Sequence, residues 1–405
     1  MAMLTEPVSA PFRISMLIYD RRYRSLTIQV AALIGFLVVL SWLVYNTKVN
    51  LEALGKDFNF SFLWNRAGYD INQTLIPYTN DSTNFRALLV GLCNTLLVAF
   101  FGCILATIIG VFVGVLRLSK NWLTARLMSV YVEAFRNIPV LLWIIAIFAV
   151  FTNVLPPPKD FRGENPTAHM VLGDTFAFTN YATYVPRPLF ETGALGVLAV
   201  FVLSIMGLVM FRRHARHRQE RTGQVLPVLW IGLAILILPS ILAYYALGKP
   251  ISFDIPALRG LNFQGGLKVG NSFVALTVAL ALYTGAFIAE NVRAGIMAIS
   301  RGQTEAAYAL GLRPGRTTQL VVMPQALRII IPPLISQWLN LTKNTSLGLA
   351  VSYMDLRSTL GGITLNQTGR ELECMLLMML IYLVISLIIS SLANFYNRSV
   401  QLKSR

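Results

Sequence analysis

Few residues in this chain have the types and spacing to do chemistry, and most stand apart from one another. The three histidines, His169, His214 and His217, offer no metal-ligand pair on an apolar run. The three cysteines, Cys93, Cys103 and Cys374, show neither metal nor disulfide spacing. No Gly-x-x-x-x-Gly-Lys-Ser/Thr phosphate loop occurs, so the chain cannot hydrolyse a nucleotide by that chemistry. No catalytic residue and no metal ligand is therefore assigned. What remains is charge in costly places. Lys343 lies inside an apolar run beside Asn344, Thr345 and Ser346. An ionisable side chain there faces a bundle interior or an aqueous cavity. Two readings stand level. In one, Lys343 and its polar neighbours, with Asn94, line a translocation path and meet a substrate carboxylate. In the other, Lys343 pairs internally with a carboxylate or with helix-end carbonyls. Glu290 and Arg293, three residues apart, pair on one helix face.

A different kind of signal is Glu305-Ala306-Ala307-Tyr308-Ala309-Leu310-Gly311, followed by Val321-Val322-Met323-Pro324. The first stretch predicts a helix of about two turns over 304–311, too short to be stable alone in water. Thr304 is the expected N-cap, and Glu305 then sits in the first turn, where the helix dipole favours a carboxylate. Gly311 is placed for a left-handed stop, and Pro314-Gly315 oppose continuation. Ala306, Ala307 and Ala309 would let a partner approach the backbone closely. The stretch reads as a plug for another protein's surface.

The elements that must position these residues are membrane helices. The chain has 405 residues, 55% apolar and only 13% charged, against about 25% charged in soluble domains. The apolar runs predict eight spans, near 25–47, 87–116, 128–155, 192–211, 225–247, 271–288, 331–353 and 374–394. The first is too long for a signal-peptide core. The third stops at Pro156-Pro157-Pro158, and Pro332-Pro333 is expected to break the seventh. The formal charge of +16 is read as basic loops that hold topology, not as nucleic-acid binding. Inward basic loops place both termini inside: Arg13 and Arg21 before the first span, Arg117, Lys120 and Arg126 after the second, Lys403 and Arg405 at the end. The densest cluster, Arg212, Arg213, Arg216, Arg218 and Arg221, is read as a stop-transfer loop in preference to an RNA or anionic-lipid site. Arg136 is read as a topology anchor.

The spacing Glu-Ala-Ala, three residues, Gly, nine residues and an apolar-x-apolar-Pro ending resembles the EAA motif of ABC-importer permeases. Val321 and Met323 stand where that family has Ile and Leu. Gly91-Leu92-Cys93-Asn94-Thr95-Leu96 is similar to the Gly-x-x-x-Thr-Leu opening of polar amino-acid permeases, and Tyr131 to Pro139 to their Tyr-x-x-x-Phe-Arg-x-x-Pro segment. Ala289-Glu290-Asn291-Val292-Arg293 and Leu341-Thr342-Lys343-Asn344-Thr345-Ser346-Leu347 resemble two further segments. Together these cover about 87–155 and 270–398, and the chain most resembles the larger permease of general L-amino-acid uptake systems.

The resemblance implies an all-α polytopic protein of the bacterial inner membrane, with the five-helix core of a type I importer. It implies a parsing into an extra N-terminal helix and outer loop (1–86), first core part (87–155), inserted loops and helix pair (156–268) and second core part (269–405). It implies that Glu305, Ala306, Ala307, Gly311 and Pro324 belong to a coupling loop that docks on an ATP-binding subunit dimer. That partner would hold ATP and Mg; this chain would hold no cofactor. A second, related permease, a periplasmic amino-acid-binding protein, the amino-acid substrate and membrane lipid complete the expected partners, with no nucleic acid. The alternative is an ion-coupled secondary transporter. Such proteins often show two related halves; no internal repeat is visible, and the Glu-Ala-Ala helix has no role in that mechanism. A scaffold without transport activity is more distant.

Overall fold

The computed structural model describes residues 18–400, apart from 19, 56, 164 and 225. Arg13, Lys403 and Arg405 lie outside the described residues. The chain divides into two units, residues 1–62 and 63–405. The first carries helix α1, Arg21–Ala53, longer at both ends than the apolar run 25–47.

The second unit is built on two parallel helices, α2 (Asn84–Leu116) and α7 (Asn271–Met297). Between them run α3 (Trp122–Asn137), α4 (Val140–Asn153), α5 (Ala194–Thr222) and α6 (Val228–Ala246). After α7 come α8 (Arg301–Ala309), α9 (Met323–Asn344) and α10 (Glu371–Val400). Among the described residues seven helical segments are long and apolar enough to cross a membrane. The bent pair α3–α4 brings the number to eight if it counts as one span.

Small residues draw α2 and α7 together. A Cβ added at Gly110 would lie 2.5 Å from Ile288 Cβ, and one at Gly114 2.7 Å from the Ala289 carbonyl. Ala106, Gly110 and Gly114 recur every fourth residue, as do Ala281, Gly285 and Ala289, so each series forms one stripe along its helix. In lipid, where apolar surface gains nothing by leaving the solvent, such stripes are what let helices pack. α9 returns antiparallel across the pair: Ile330 fills the space opposite Gly295, and Leu341 that opposite Gly102. The Trp338 indole N–H donates to Thr107 Oγ1 at 2.9 Å. The core of this unit is accordingly Val98, Ala106, Leu276, Ile288, Ile330 and Leu341 with their neighbours.

Two expectations change, and two features go beyond what the sequence specified. The third span is not straight: α3 and α4 meet at 109°, because Ile138 is extended and Pro139 begins the next helix. Pro332-Pro333 do not break the seventh span; α9 runs through both, and the departures from α geometry lie before it (a π turn, Thr318–Val322) and after it (a 3₁₀ turn, Thr345–Val351). The basic cluster is not a loop but the last three turns of α5, which stops only at left-handed Gly223. The inserted loops are not structureless. They form short antiparallel strands: β1 (Ala177–Phe178), β2 (Ala182–Val185), β3 (Arg187–Phe190), β4 (Ile251–Asp254), β5 (Ala257–Arg259), β6 (Asn262–Gln264) and β7 (Leu267–Gly270). β1, β2 and β7 make one sheet, β3 pairs β4, and β5 pairs β6. Tyr184 and Phe263 pack in a small core under them. β7 leads directly into α7, and Asn271 at the joint donates to the Thr179 carbonyl at 2.9 Å.

Candidate functional site

α7 spans about 40 Å by its 27 residues. The strands lie at its start, and at its far end the chain passes through Ser300 into α8, the helix carrying Glu305. α8 begins earlier than its sequence suggests: Ser300 stands before its first residue, Arg301. Thr304 is therefore inside the helix and is not its cap, and Glu305 sits in the second turn, away from the dipole end. The stop is as expected. Gly311 has φ +78°, and its N–H donates to the Tyr308 carbonyl at 2.9 Å while the Leu312 N–H donates to the Ala307 carbonyl at 3.1 Å. These two bonds are the pair that closes a helix through a left-handed residue. Pro314 then opens a further helical turn, Pro314–Thr317, where its missing N–H costs nothing. Pro324 likewise lies in the first turn of α9.

The faces of α8 divide cleanly. Ala307 is buried against the chain's own loop, and Thr317 is buried nearby. Ala307 is thus the inward-facing residue of the helix. Glu305, Ala306 and Ala309 are exposed, together with Tyr308 and Leu310, the latter 83% exposed. A leucine held that open on a helix end is an unpartnered apolar knob. Gln325 on α9 places its side-chain N–H 3.5 Å from Gln303 Oε1 on α8, a weak tie between the helix and the span that follows. Sequence reasoning missed Tyr308 and Leu310 because it followed the small residues; their place on the exposed face of a nine-residue helix was the available signal.

Beside this loop, Glu290 gathers three arginines. It pairs with Arg293 at 2.6 Å, with Arg117 at the end of α2, and with Arg136 of α3 at 3.9 Å. Arg136 also lies over the Phe287 ring, 5.4 Å from its centroid. The expected local pair is thus the centre of a larger cluster that ties α2, α3 and α7 at the end nearest α8. Arg136 anchors through this contact.

The residues expected on a translocation path are not brought together. Asn94 is fully buried and donates to the carbonyls of Gln73 and Met354 at 2.9 and 2.8 Å. Thr345 is fully buried, its hydroxyl donating to the Thr342 carbonyl. Both hold the chain together. Lys343 is exposed in the last turn of α9, with Asn344 and Ser346 half-buried beside it. Among the described residues no ion pair to Lys343 is present, so the carboxylate-paired reading does not describe this structure.

The conformation after Lys343 explains the Gly91-to-Leu96 segment. Ser352 is left-handed at φ 55°, and residues 353–359 lie against α2. The Tyr353 hydroxyl donates to the Asn94 carbonyl at 3.0 Å, and the Leu356 N–H to Thr95 Oγ1 at 3.1 Å. A Cβ on Gly91 would collide with the Thr359 hydroxyl and come within 2.9 Å of the Asp355 carbonyl. Asp355, not singled out in the sequence, is fully buried and accepts the Ser358 N–H at 2.9 Å. Gly, Asn and Thr at this spacing form a docking strip for the segment between α9 and α10.

Comparison with known proteins agrees with this architecture. Residues 221–402 match the family described as binding-protein-dependent transport system inner membrane component. The chain is 59% identical, over the whole of both sequences, to the glutamate/glutamine/aspartate/asparagine transport system permease protein BztB of Rhodobacter capsulatus. It is 43% identical to the general L-amino acid transport system permease protein AapQ of Rhizobium johnstonii, covering 96% of this chain and 94% of that one. It is 41% identical to the amino-acid ABC transporter permease protein YhdX of Escherichia coli, described as putative, covering 94% and 95%. The chain belongs to the multi-pass inner-membrane permease subunits of binding-protein-dependent amino-acid ABC transporters, in which ATP hydrolysis resides on a separate subunit.

Proposed function

We infer that this permease carries polar L-amino acids inward and that α8 is its coupling element to the ATP-binding subunits. The observation that carries the reading is the geometry of α8. A short helix, with Ala307 facing inward and its end closed by Gly311, holds Glu305, Ala306, Tyr308 and Leu310 outward at the end of α7 opposite the strands. Ala306 and Ala309 permit close approach, Leu310 supplies an apolar contact, and Glu305 supplies a charge. ATP and Mg are held by the partner. The substrate range is that named for its relatives, acidic amino acids and their amides or L-amino acids more generally. Among the described residues there is one such helix, so a second, related permease supplies the other half of the translocation path. Residues 87–155 and 269–405 form the core of this half, and 1–86 and 156–268 are additions to it. The strands then face a periplasmic binding protein, on the side opposite α8. Lys343, with Asn344 and Ser346, lines the path against the second permease and meets the substrate carboxylate.

The reading supposes two states, with α8 making different contacts in each, since a ligand shifts an equilibrium only by its differential affinity. Gentle purification from the native membrane should recover an ATP-binding subunit and a second permease, with ATPase activity that rises with loaded binding protein. Glu305→Ala should lower that stimulation while the complex still assembles. Recovery of this chain alone, active in ATP-free vesicles under an ion gradient, would sink the proposal in favour of ion-coupled transport.

A further inference from the structure

The inserted pair α5–α6 has no part in the coupling loop or the proposed path, and its two helices differ in length. α6 has 19 residues and no charge, about 28 Å and close to the thickness of a bilayer's hydrocarbon core. α5 has 29 residues. Its apolar part, 194–211, accounts for about 27 Å, and 212–222 extends it by about 16 Å more. The packing fixes the level of the overhang. Gly196 faces Leu247, Gly207 faces Ile235, and Leu208 faces Gly232, so α6 begins about level with residue 212. Beyond that level α5 runs past the start of α6, on the same side as α8, because α5 leaves the strand end of the molecule and runs the length of the bilayer.

This overhang carries Arg212, Arg213, Arg216, Arg218 and Arg221, all exposed, against a single acid, Glu220. Glu220 accepts from Arg216 at 3.2 Å. Helical spacing puts Arg213, Arg216 and Arg221 on the arc away from Ala215, which is buried, and Arg212 and Arg218 on its flanks. Helical Cα–Cβ bonds tilt toward the N-terminus, which here is the membrane end. The arginines therefore lean back toward the bilayer, and long basic side chains extend readily to headgroup level.

We propose that residues 212–222 of α5 form a binding site for anionic phospholipid headgroups of the leaflet on the α8 side. A loop that merely stopped translocation would need only the charge. A helix that continues the span past the start of its neighbour and leans its arginines back toward the surface presents several guanidinium groups to lipid phosphates along about three turns. Guanidinium groups suit this because they bind phosphate through paired N–H donors.

The test uses the full chain in nanodiscs of phosphatidylcholine with phosphatidylglycerol. Lipids retained on the protein are compared by native mass spectrometry for the wild type and for a variant with Arg213, Arg216, Arg218 and Arg221 each changed to Gln. Arg212 is kept to hold topology, and labelling of a cysteine introduced at Gln224 confirms the side. Each basic residue near an anionic surface is expected to contribute about five-fold, so the variant should lose at least ten-fold of the phosphatidylglycerol preference. In the wild type the preference should fade as salt rises toward 1 M. Equal preference in the correctly inserted variant, or a wild-type preference insensitive to salt, would overturn the proposal. So would capture of the ATP-binding subunit or of RNA, in place of lipid, by a photocrosslinker at position 224 in native membranes.

Discussion

Gly311 offers the cleanest perturbation of the coupling geometry. Its φ is +78°, and a Cβ built there meets nothing within 4 Å. Substitution therefore costs backbone strain alone, without a clash to confuse the outcome. An ordinary L-residue forced left-handed costs about 1–2 kcal/mol, and a β-branched one falls at or above the top of that range. At about 2 kcal/mol, Gly311→Val would depopulate the closed helix end about 30-fold. Gly311→Ala, near 1 kcal/mol, would do so about five-fold, and Gly311→Asn should be close to neutral because Asn tolerates this region. The two bonds that rely on the turn, Gly311 to Tyr308 and Leu312 to Ala307, would open in proportion, releasing Leu310 from its outward position. The assay is ATP-driven amino-acid uptake in vesicles, normalised to permease in the membrane, across the series Gly, Asn, Ala, Val. Uptake should fall in that order, with the Val variant inserted normally yet nearly inactive. A Val variant transporting at wild-type rate would refute the assignment of this turn to coupling.

Other positions give independent readouts. Gly110→Val places new carbon against Ile288 and the Gly285 carbonyl, so the α2–α7 contact must separate. A cost of about 2–3 kcal/mol should appear as a lower melting temperature in detergent. Glu290→Gln leaves Arg117, Arg136 and Arg293 without their shared carboxylate. It should cost about 2 kcal/mol and loosen α3 from α7, read as faster proteolysis or hydrogen exchange near Arg136. Asn94→Ala removes two hydrogen bonds to backbone and should lower thermal stability by about 2–3 kcal/mol without altering which amino acids are carried. Lys343→Gln should do the reverse, leaving stability unchanged while lowering uptake.

The recurrence of apolar runs was enough to identify a polytopic membrane protein, because a helix must satisfy its own backbone wherever lipid offers no partner. The left-handed turn at Gly311 was equally legible, since one residue type fits that geometry without cost. What sequence could not decide was where each side chain finds its neighbours. Glu290 announced a partner at Arg293, three residues on; Arg117 and Arg136 joined it only because α2, α3 and α7 end at the same level. Asn94 and Thr345 looked like polar residues available to a substrate. They are buried because left-handed Ser352 turns the chain after α9 back onto α2, a contact some 260 residues apart in sequence for Asn94 and Met354. The kink at Pro139 and the uninterrupted passage through Pro332-Pro333 show the same limit. A proline removes one backbone donor wherever it stands, and whether the helix bends there depends on what packs around it. In the same way, the arginines at 212–221 were countable from the sequence. That they stand on a helix reaching past the start of its neighbour follows only from the register of α5 against α6.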